Sequence, residues 1–125
     1  MEYQPGVCNI GPSEQRKRLA LGVASLLAAV VVAAAVLSIG WPLWMLLFTV
    51  FPLYGAALGF MQYRARFCVG FAGIGVFDVG DGSHKVTDPR ALETDRQRAI
   101  RLNLRAVGVA VAGTLLVYGG AVAVS

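Results

Sequence analysis

Charged side chains in this chain are confined to two blocks, and long uncharged stretches follow each of them. The first block ends at Arg18, and residues 19–63 contain no Asp, Glu, Lys or Arg. The second block runs from Arg64 to Arg105, and residues 106–125 again carry no charge. Amphipathic helices of water-soluble proteins instead alternate charged and apolar residues at helical spacing. The blockwise pattern therefore indicates membrane-spanning helices.

The uncharged stretches predict three spans. Residues 19–39 are long enough, as a helix, to cross a hydrocarbon core of about 30 Å. The Ser-Ile-Gly-Trp-Pro sequence at residues 38–42 then predicts a helix end and the start of a new helix. Residues 43–61 form the second predicted span, in which we expect Pro52 to introduce a kink. Residues 106–125 form the third.

Composition supports this interpretation. Of 125 residues, 57% are apolar and only 14% are charged, which is too little charge for the surface of so small a soluble protein. The length allows one domain, residues 1–125. The fold class that we predict is an all-α integral membrane protein with the bilayer as its solvent. The net charge of +4 lies beside the apolar stretches, where it faces anionic headgroups, so we do not expect nucleic-acid binding.

The basic residues also predict the orientation, because cationic flanks of membrane spans stay on the cytoplasmic side. Residues 16–18 precede the first span, Arg64 and Arg66 follow the second, and four arginines between residues 96 and 105 precede the third. Three spans place all of these groups on one side. We therefore expect a multi-pass protein of the inner (cytoplasmic) membrane, with its N-terminus inside and its C-terminus outside.

The loop at residues 64–105 is the only large extramembrane segment that we predict. Its first part, residues 67–77, is apolar but rich in glycine and too short to span, so we expect it at the interface or against the helices. Residues 76–79 and 84–87 flank a Gly-Asp-Gly-Ser sequence, which predicts a β-hairpin. Asp88 and Pro89 then predict a helix start.

Three side chains are candidate metal ligands: Cys8, Cys68 and His84. They are one ligand short of a structural zinc site, and their spacing matches no compact metal motif. We expect Cys8 and Cys68 on the same side of the membrane, without a disulfide, because the cytoplasm is reducing. The sequence contains no catalytic motif, so we predict no cofactor and no enzymatic activity.

Small residues occur at the spacing that lets helix backbones approach closely. Gly55 and Gly59 form a GxxxG pair in the second span, and Gly108 and Ala112 form a small-xxx-small pair in the third. The spans contain no ionisable Asp, Glu, Lys, Arg or His, whereas coupled transporters usually need such groups at membrane depth. These features favour helix packing over transport.

Two short segments resemble a known family. The sequence Asn-Ile-Gly-Pro-Ser-Glu at residues 9–14, continuing to Arg18 and Gly22, is similar to the opening of a family of small bacterial inner-membrane domains, some of which are appended to rhodanese domains. Residues 51–54, Phe-Pro-Leu-Tyr, resemble the Cys-Pro-Leu-Tyr step of the same family. Here Gln15 stands in place of the usual Arg, and a phenylalanine in place of the cysteine. The resemblance implies a bacterial inner-membrane location.

Three functions are compatible with these features. The first is an accessory, assembly or scaffold subunit, without catalytic activity, that packs against other membrane subunits or against itself. The second is a thiol- or metal-handling membrane protein that uses Cys8 and Cys68. The third is a small homo-oligomeric channel. The absence of a catalytic motif and of ionisable groups in the spans favours the first.

Overall fold

The computed structural model describes residues 3–125, and its secondary structure is mostly helical. A short segment of 3-10 helix leads into the second long helix, and a small hairpin precedes the last one. In chain order the elements are α1 (Pro12–Ile39), the 3-10 segment (Leu43–Thr49), α2 (Val50–Ala65), α3 (Val69–Ile74), β1 (Val76–Phe77), β2 (His84–Lys85) and α4 (Pro89–Val124).

Three helical segments are long and apolar enough to cross a membrane: Pro12–Ile39, Leu43–Ala65 and Pro89–Val124. The predicted number of spans is therefore confirmed for length and composition. α1 and α4 extend past their predicted spans, 19–39 and 106–125, into charged sequence. We call the half of the molecule that holds residues 3–18 and 62–105 the charged end.

Local sequence accounts for the boundaries of α1. Pro12 occupies the first turn, where a backbone N–H would have no acceptor within the helix, so proline loses no hydrogen bond there. Glu14 lies near the positive end of the helix dipole. The helix ends at Gly40, which has a φ of 80° in the left-handed region that glycine adopts without steric cost. The exposed rings of Trp41 and Trp44 follow directly.

The second span contains a change in helix type, and the kink expected at Pro52 stays a prediction. The chain is a 3-10 helix over Leu43–Thr49 and becomes an α-helix at Val50. Pro52 lies in the first turn of α2, where it has no N–H to give to the carbonyl four residues earlier. The buried Thr49 hydroxyl donates to the Leu46 carbonyl at 2.6 Å, which satisfies a polar group in an apolar region.

The three long helices lie in a row rather than in a closed bundle. α2 packs against α1 on one side and against α4 on the other, while α1 and α4 make at most marginal contact. Accordingly, within α2 only Phe51, Tyr63 and Arg64 are exposed. Many large apolar residues of α1 and α4 are exposed, as expected for surfaces that face lipid.

The contact between α1 and α2 brings two backbones together. Gly22, Ala29 and Val36 are buried at seven-residue spacing along α1. A Cβ atom built at Gly59 would lie 2.6 Å from the Gly22 nitrogen, and one at Gly55 would lie 2.6 Å from the Ser25 hydroxyl oxygen. The GxxxG pair of the second span therefore lies at a contact that admits no side chain.

The packing face of α4 differs from the one that the sequence suggested. From Leu102 onward, the buried residues of α4 are Leu102, Ala106, Ala110 and Thr114, which recur every fourth residue. Gly108 and Ala112 are exposed, and nothing lies within 4 Å of a Cβ built at Gly108. At about 100° per residue, a position two residues from Ala106 points to the opposite side of the helix. The predicted pair thus faces away from α2.

The hairpin and the start of α4 follow the sequence closely. Phe77 pairs with His84 across the hairpin, and Val76 pairs with Lys85. The Asp88 carboxylate accepts the Arg90 N–H at 3.0 Å and caps α4, with proline at the first position of the helix. Between α2 and the hairpin, the apolar segment forms the short helix α3, which packs against α4.

We predict that Gly59→Leu destabilises the protein, because a side chain at this position collides with the backbone of α1. Overpacking of this kind costs about 1–3 kcal/mol. The matched control is Gly108→Leu, the same change at a helical glycine with open space around it. Thermal unfolding in mild detergent measures both variants. Equal melting temperatures for the two would contradict the assigned contact.

Candidate functional site

The charged end is organised by the N-terminal segment, residues 3–11. This segment begins with a tight turn in which the Gln4 carbonyl accepts the N–H groups of Val7 and Cys8. Gly6 has a φ of 70° in that turn, and a Cβ atom there would lie 2.6 Å from a methyl group of Thr94 on α4. The turn is therefore held directly against the first half of α4.

Asn9 joins this segment to two other parts of the chain. Its side-chain oxygen accepts the Cys68 N–H at 2.6 Å, and its side-chain amide donates to the Cys68 carbonyl at 3.1 Å. Its backbone N–H donates to the Arg66 carbonyl, and its carbonyl accepts the Asp78 N–H at 2.9 Å. Asn9 is fully buried, so these bonds satisfy polar groups that have no access to water.

The next two residues continue the connection to the hairpin. Ile10 is fully buried and forms a parallel bridge with Asp78. The Gly11 N–H donates to the Asp78 carbonyl at 2.7 Å, and a Cβ atom at Gly11 would lie 2.6 Å from the Val79 carbonyl. The Asn-Ile-Gly sequence that carries the family resemblance thus forms the joint between the N-terminal segment, the hairpin and α1.

Asp95 of α4 anchors the other end of the segment. It is fully buried and accepts hydrogen bonds from the Tyr3 hydroxyl and from the Gly6 N–H, the latter at 2.7 Å. The Tyr3 ring stacks on Phe77 with the ring centres 4.2 Å apart. Burial, and then the bond to Asp95, raise the pKa of Tyr3 above its ordinary value. The phenol therefore stays protonated and donates to the carboxylate.

Arg98, three residues along the same helix face, completes this anchor. Its guanidinium donates to the carbonyl of Gly6 and to that of Val7, the latter at 2.8 Å. The guanidinium also lies 5.1 Å from the centre of the buried Phe67 ring. Phe67 belongs to the core of the charged end, together with Ala72, Ala99 and Leu102. Side chains of α4 thus bind the backbone of the N-terminal segment by its amide and carbonyl groups.

The junction of α2 and α3 is also held by polar groups. Arg66 ends α2 with a φ of 55°, which is unusual for a residue other than glycine. The buried side chain of Gln62 accepts the Val69 N–H at 2.8 Å, and its backbone carbonyl accepts the Phe67 N–H. These bonds fix the sharp turn that places Cys68 next to Asn9.

The structure places Cys8 and Cys68 in the charged end, where both are buried and no disulfide joins them. The Arg18 guanidinium donates to the Cys68 sulfur at 3.0 Å and lies 5.4 Å from the centre of the Phe71 ring. The same arginine forms an ion pair with Glu14. Cys68 is thus held between α1 and α3 with a cation on its sulfur.

His84 does not join the two cysteines. Its position on β2, opposite Phe77, directs it to the exposed hairpin, where it contacts Asp81 at 3.3 Å. Within residues 3–125, no three His, Cys, Asp or Glu side chains are grouped closely enough to hold a metal ion. The three candidate ligands named from the sequence are therefore not assembled into one site.

Sequence reasoning did not single out the anchoring roles of Asn9, Asp95 and Arg98. The spacing of Asp95 and Arg98 indicates only that they share a helix face. In these bonds their partners are backbone groups about ninety residues away, and the pattern of side chains along the sequence does not reveal such contacts.

Comparison of the chain with protein-family models, with characterised proteins and with solved structures gives no match in any of the three. The family resemblance therefore stays a prediction from residues 9–22 and 51–54. What the chain does has to be argued from its own geometry.

We predict that Asp95→Ala releases the N-terminal segment, because Tyr3 and Gly6 lose a buried acceptor. Leaving such donors unsatisfied costs about 1–3 kcal/mol. Cys8 is buried in the intact protein, so release exposes it to a maleimide reagent, and peptide mass spectrometry locates the label. The control is Asp81→Ala on the exposed hairpin. Unchanged labelling of Cys8 in Asp95→Ala would show that the carboxylate does not hold this segment.

Proposed function

We propose that this protein is a non-catalytic accessory or assembly subunit that packs laterally against another transmembrane helix in a bacterial inner-membrane complex. The observation that carries the proposal is the outward direction of the small residues on α4. Gly108 and Ala112 are spaced for close helix contact, yet the chain's own helices leave them exposed. The same helix also has open space at Gly119.

The packing of apolar side chains alone does not call for a partner, because lipid tails cover leucine and valine as well as another helix does. Small residues are different. They let two backbones approach, and the resulting van der Waals contact is available only from a second helix. An exposed small-xxx-small pair is therefore a more specific indication of a partner than the exposed large residues around it.

The row of helices supports the same proposal. α4 lies at one end of the row and makes at most marginal contact with α1. Its side away from α2 is therefore accessible to a partner without displacing another helix of the chain. A partner helix can add to the row beside α4 as α2 does on its other side. The partner is another membrane subunit or a second copy of this chain.

The charged end fits a scaffold better than a catalytic site. Its buried Asn9 and Asp95 bind backbone groups of the chain itself, and both cysteines are buried. Among residues 3–125, every buried side-chain nitrogen and oxygen has a hydrogen-bond partner. These polar groups are engaged in holding the N-terminal segment in place, which supports a stable docking surface.

The alternative functions have less support. A thiol- or metal-handling protein needs its ligands together, whereas His84 lies on the exposed hairpin, apart from the buried Cys8 and Cys68. A homo-oligomeric channel needs a polar path. The hydroxyl groups of Thr49 and Thr114 instead donate to carbonyl groups of their own helices. The accessory-subunit proposal requires neither arrangement.

We predict that Ala112→Cys, labelled with benzophenone maleimide and irradiated in native membranes, cross-links to its partner; the label goes to this position because the native cysteines are buried. A product of twice the monomer mass identifies a second copy, and mass spectrometry of any larger product identifies another subunit. Gly108→Leu in the same background should abolish the cross-link while leaving the melting temperature unchanged. The control is Val107→Leu, at an exposed residue that lies about 100° or more around α4 from both Gly108 and Ala112. Cross-linking that survives Gly108→Leu would contradict the proposed contact.

The proposal also fixes an orientation, with the charged end in the cytoplasm and Ser125 outside, because the arginine-rich segments are concentrated at that end. We expect a C-terminal alkaline phosphatase fusion to be active and a C-terminal green fluorescent protein fusion to be dark. Fusions after Gly82, in the hairpin, should give the opposite pair of results. The reverse pattern would rule out this topology.

A further inference from the structure

We propose that the cleft between the charged ends of α2 and α4 binds the phosphate headgroup of an anionic phospholipid. The cleft has a volume of about 380 Å³. Its polar lining is three arginines, Arg64 from α2 and Arg98 and Arg105 from α4. The remaining lining is apolar: Met61, Ala65 and Leu102.

The helices bring these guanidinium groups together in a simple way. Arg98 and Arg105 are seven residues apart, so they lie on one face of α4 with two helical turns between them. That face packs against α2, as the buried Leu102 between them indicates. Arg64 then approaches from the last turn of α2. Three cations therefore surround one cleft, although they come from two distant parts of the sequence.

Within residues 3–125, no carboxylate forms an ion pair with any of these three arginines. The ion pairs there join Glu14 to Lys17 and Arg18, and Asp81 contacts His84. Asp95 attracts the Arg98 guanidinium, but its hydrogen bonds come from Tyr3 and Gly6. Arg64 and Arg105 therefore leave the cleft with positive charge that has no ion-pair partner, which favours an anion. A phosphate matches guanidinium groups by charge and by paired hydrogen bonds.

Arg98 is positioned before any ligand arrives. Its bonds to the carbonyl groups of Gly6 and Val7, and its contact with the Phe67 ring, fix the guanidinium. A guanidinium carries five N–H donors, so donors remain for a ligand. Arg64 and Arg105 are exposed, and their long side chains can extend along the helix ends toward the level of the headgroups.

The position of the cleft identifies the phosphate as that of a lipid. Arg64 follows the apolar stretch of the second span, and Arg105 directly precedes that of the third. The cleft therefore lies where spanning sequence meets charged sequence, at the level of lipid headgroups. Met61 and Leu102 supply apolar surface for the glycerol and the first acyl carbons. A soluble phosphate would gain nothing from that surface.

Spin-labelled phospholipids provide the test. The full chain is reconstituted into phosphatidylcholine vesicles with a trace of spin-labelled phosphatidylglycerol or spin-labelled phosphatidylcholine. Electron paramagnetic resonance then gives the relative association constant of the two lipids. We expect wild-type protein to prefer phosphatidylglycerol. The variant R64Q/R105Q should lose about fivefold in preference for each arginine removed, the equivalent of about 1 kcal/mol per residue near the surface.

The matched control is R96Q, which removes the same charge from the same helix at an exposed residue outside the cleft, on the side of α4 opposite Arg98 and Arg105. It should retain most of the preference, and R64K/R105K should retain more of it than R64Q/R105Q. The single variants R64Q and R105Q are measured as well, so that the test does not depend on insertion of the double variant. Arg98 is left unchanged because it holds the N-terminal segment.

Three results would overturn the proposal. The first is an unchanged preference in R64Q, R105Q and the double variant. The second is an equal loss in R96Q and R105Q, which would indicate diffuse attraction to an anionic surface. The third is displacement of spin-labelled phosphatidylglycerol by inorganic phosphate beyond the effect of chloride at the same ionic strength, which would assign the cleft to a soluble anion. The predicted pattern supports a lipid site.

Discussion

The close contact between α1 and α2 at Gly22 and Gly59 is the constraint on which the rest of the structure depends. Because a side chain at Gly59 would collide with the α1 backbone, and one at Gly22 would press on Phe60, the two helices are held in one register at this contact. That register fixes where the residues just before α1 lie, along the helix axes, relative to the residues just after α2. It thereby brings Asn9 to Cys68, where two side-chain hydrogen bonds join them.

The charged end is assembled outward from this contact. Once Asn9 is fixed, its carbonyl and the neighbouring Gly11 N–H pair with Asp78 and orient the hairpin. α4 completes the arrangement. Asp95 accepts a backbone N–H of the N-terminal segment, and Arg98 donates to two backbone carbonyl groups of the same segment. Each step pairs a buried polar group with another, so that the charged end is held together by hydrogen bonds as well as by a modest apolar core.

The same geometry leaves two surfaces unused by the chain itself, and they differ in chemistry. The outer face of α4 offers small residues at Gly108 and Ala112, which suit close contact with a helix. The cleft beside Arg64 and Arg105 offers cations without an ion-pair partner, which suit a phosphate. A partner subunit and a bound lipid would therefore occupy separate parts of the molecule. Either could be present without the other.

The sequence by itself determined that three helices are long and apolar enough to span a membrane, and it determined the hairpin turn and the capped start of α4. These features follow from uncharged length, from glycine and proline, and from local capping, all of which act between near neighbours. Only the tertiary structure decided which face of α4 packs, because Gly108 and Ala106 are both small residues and helical spacing alone does not say which of them faces α2. It also decided that His84 lies apart from the cysteines and that Asp95 holds residues 3–6. Those outcomes depend on the register between distant segments, which no local pattern encodes.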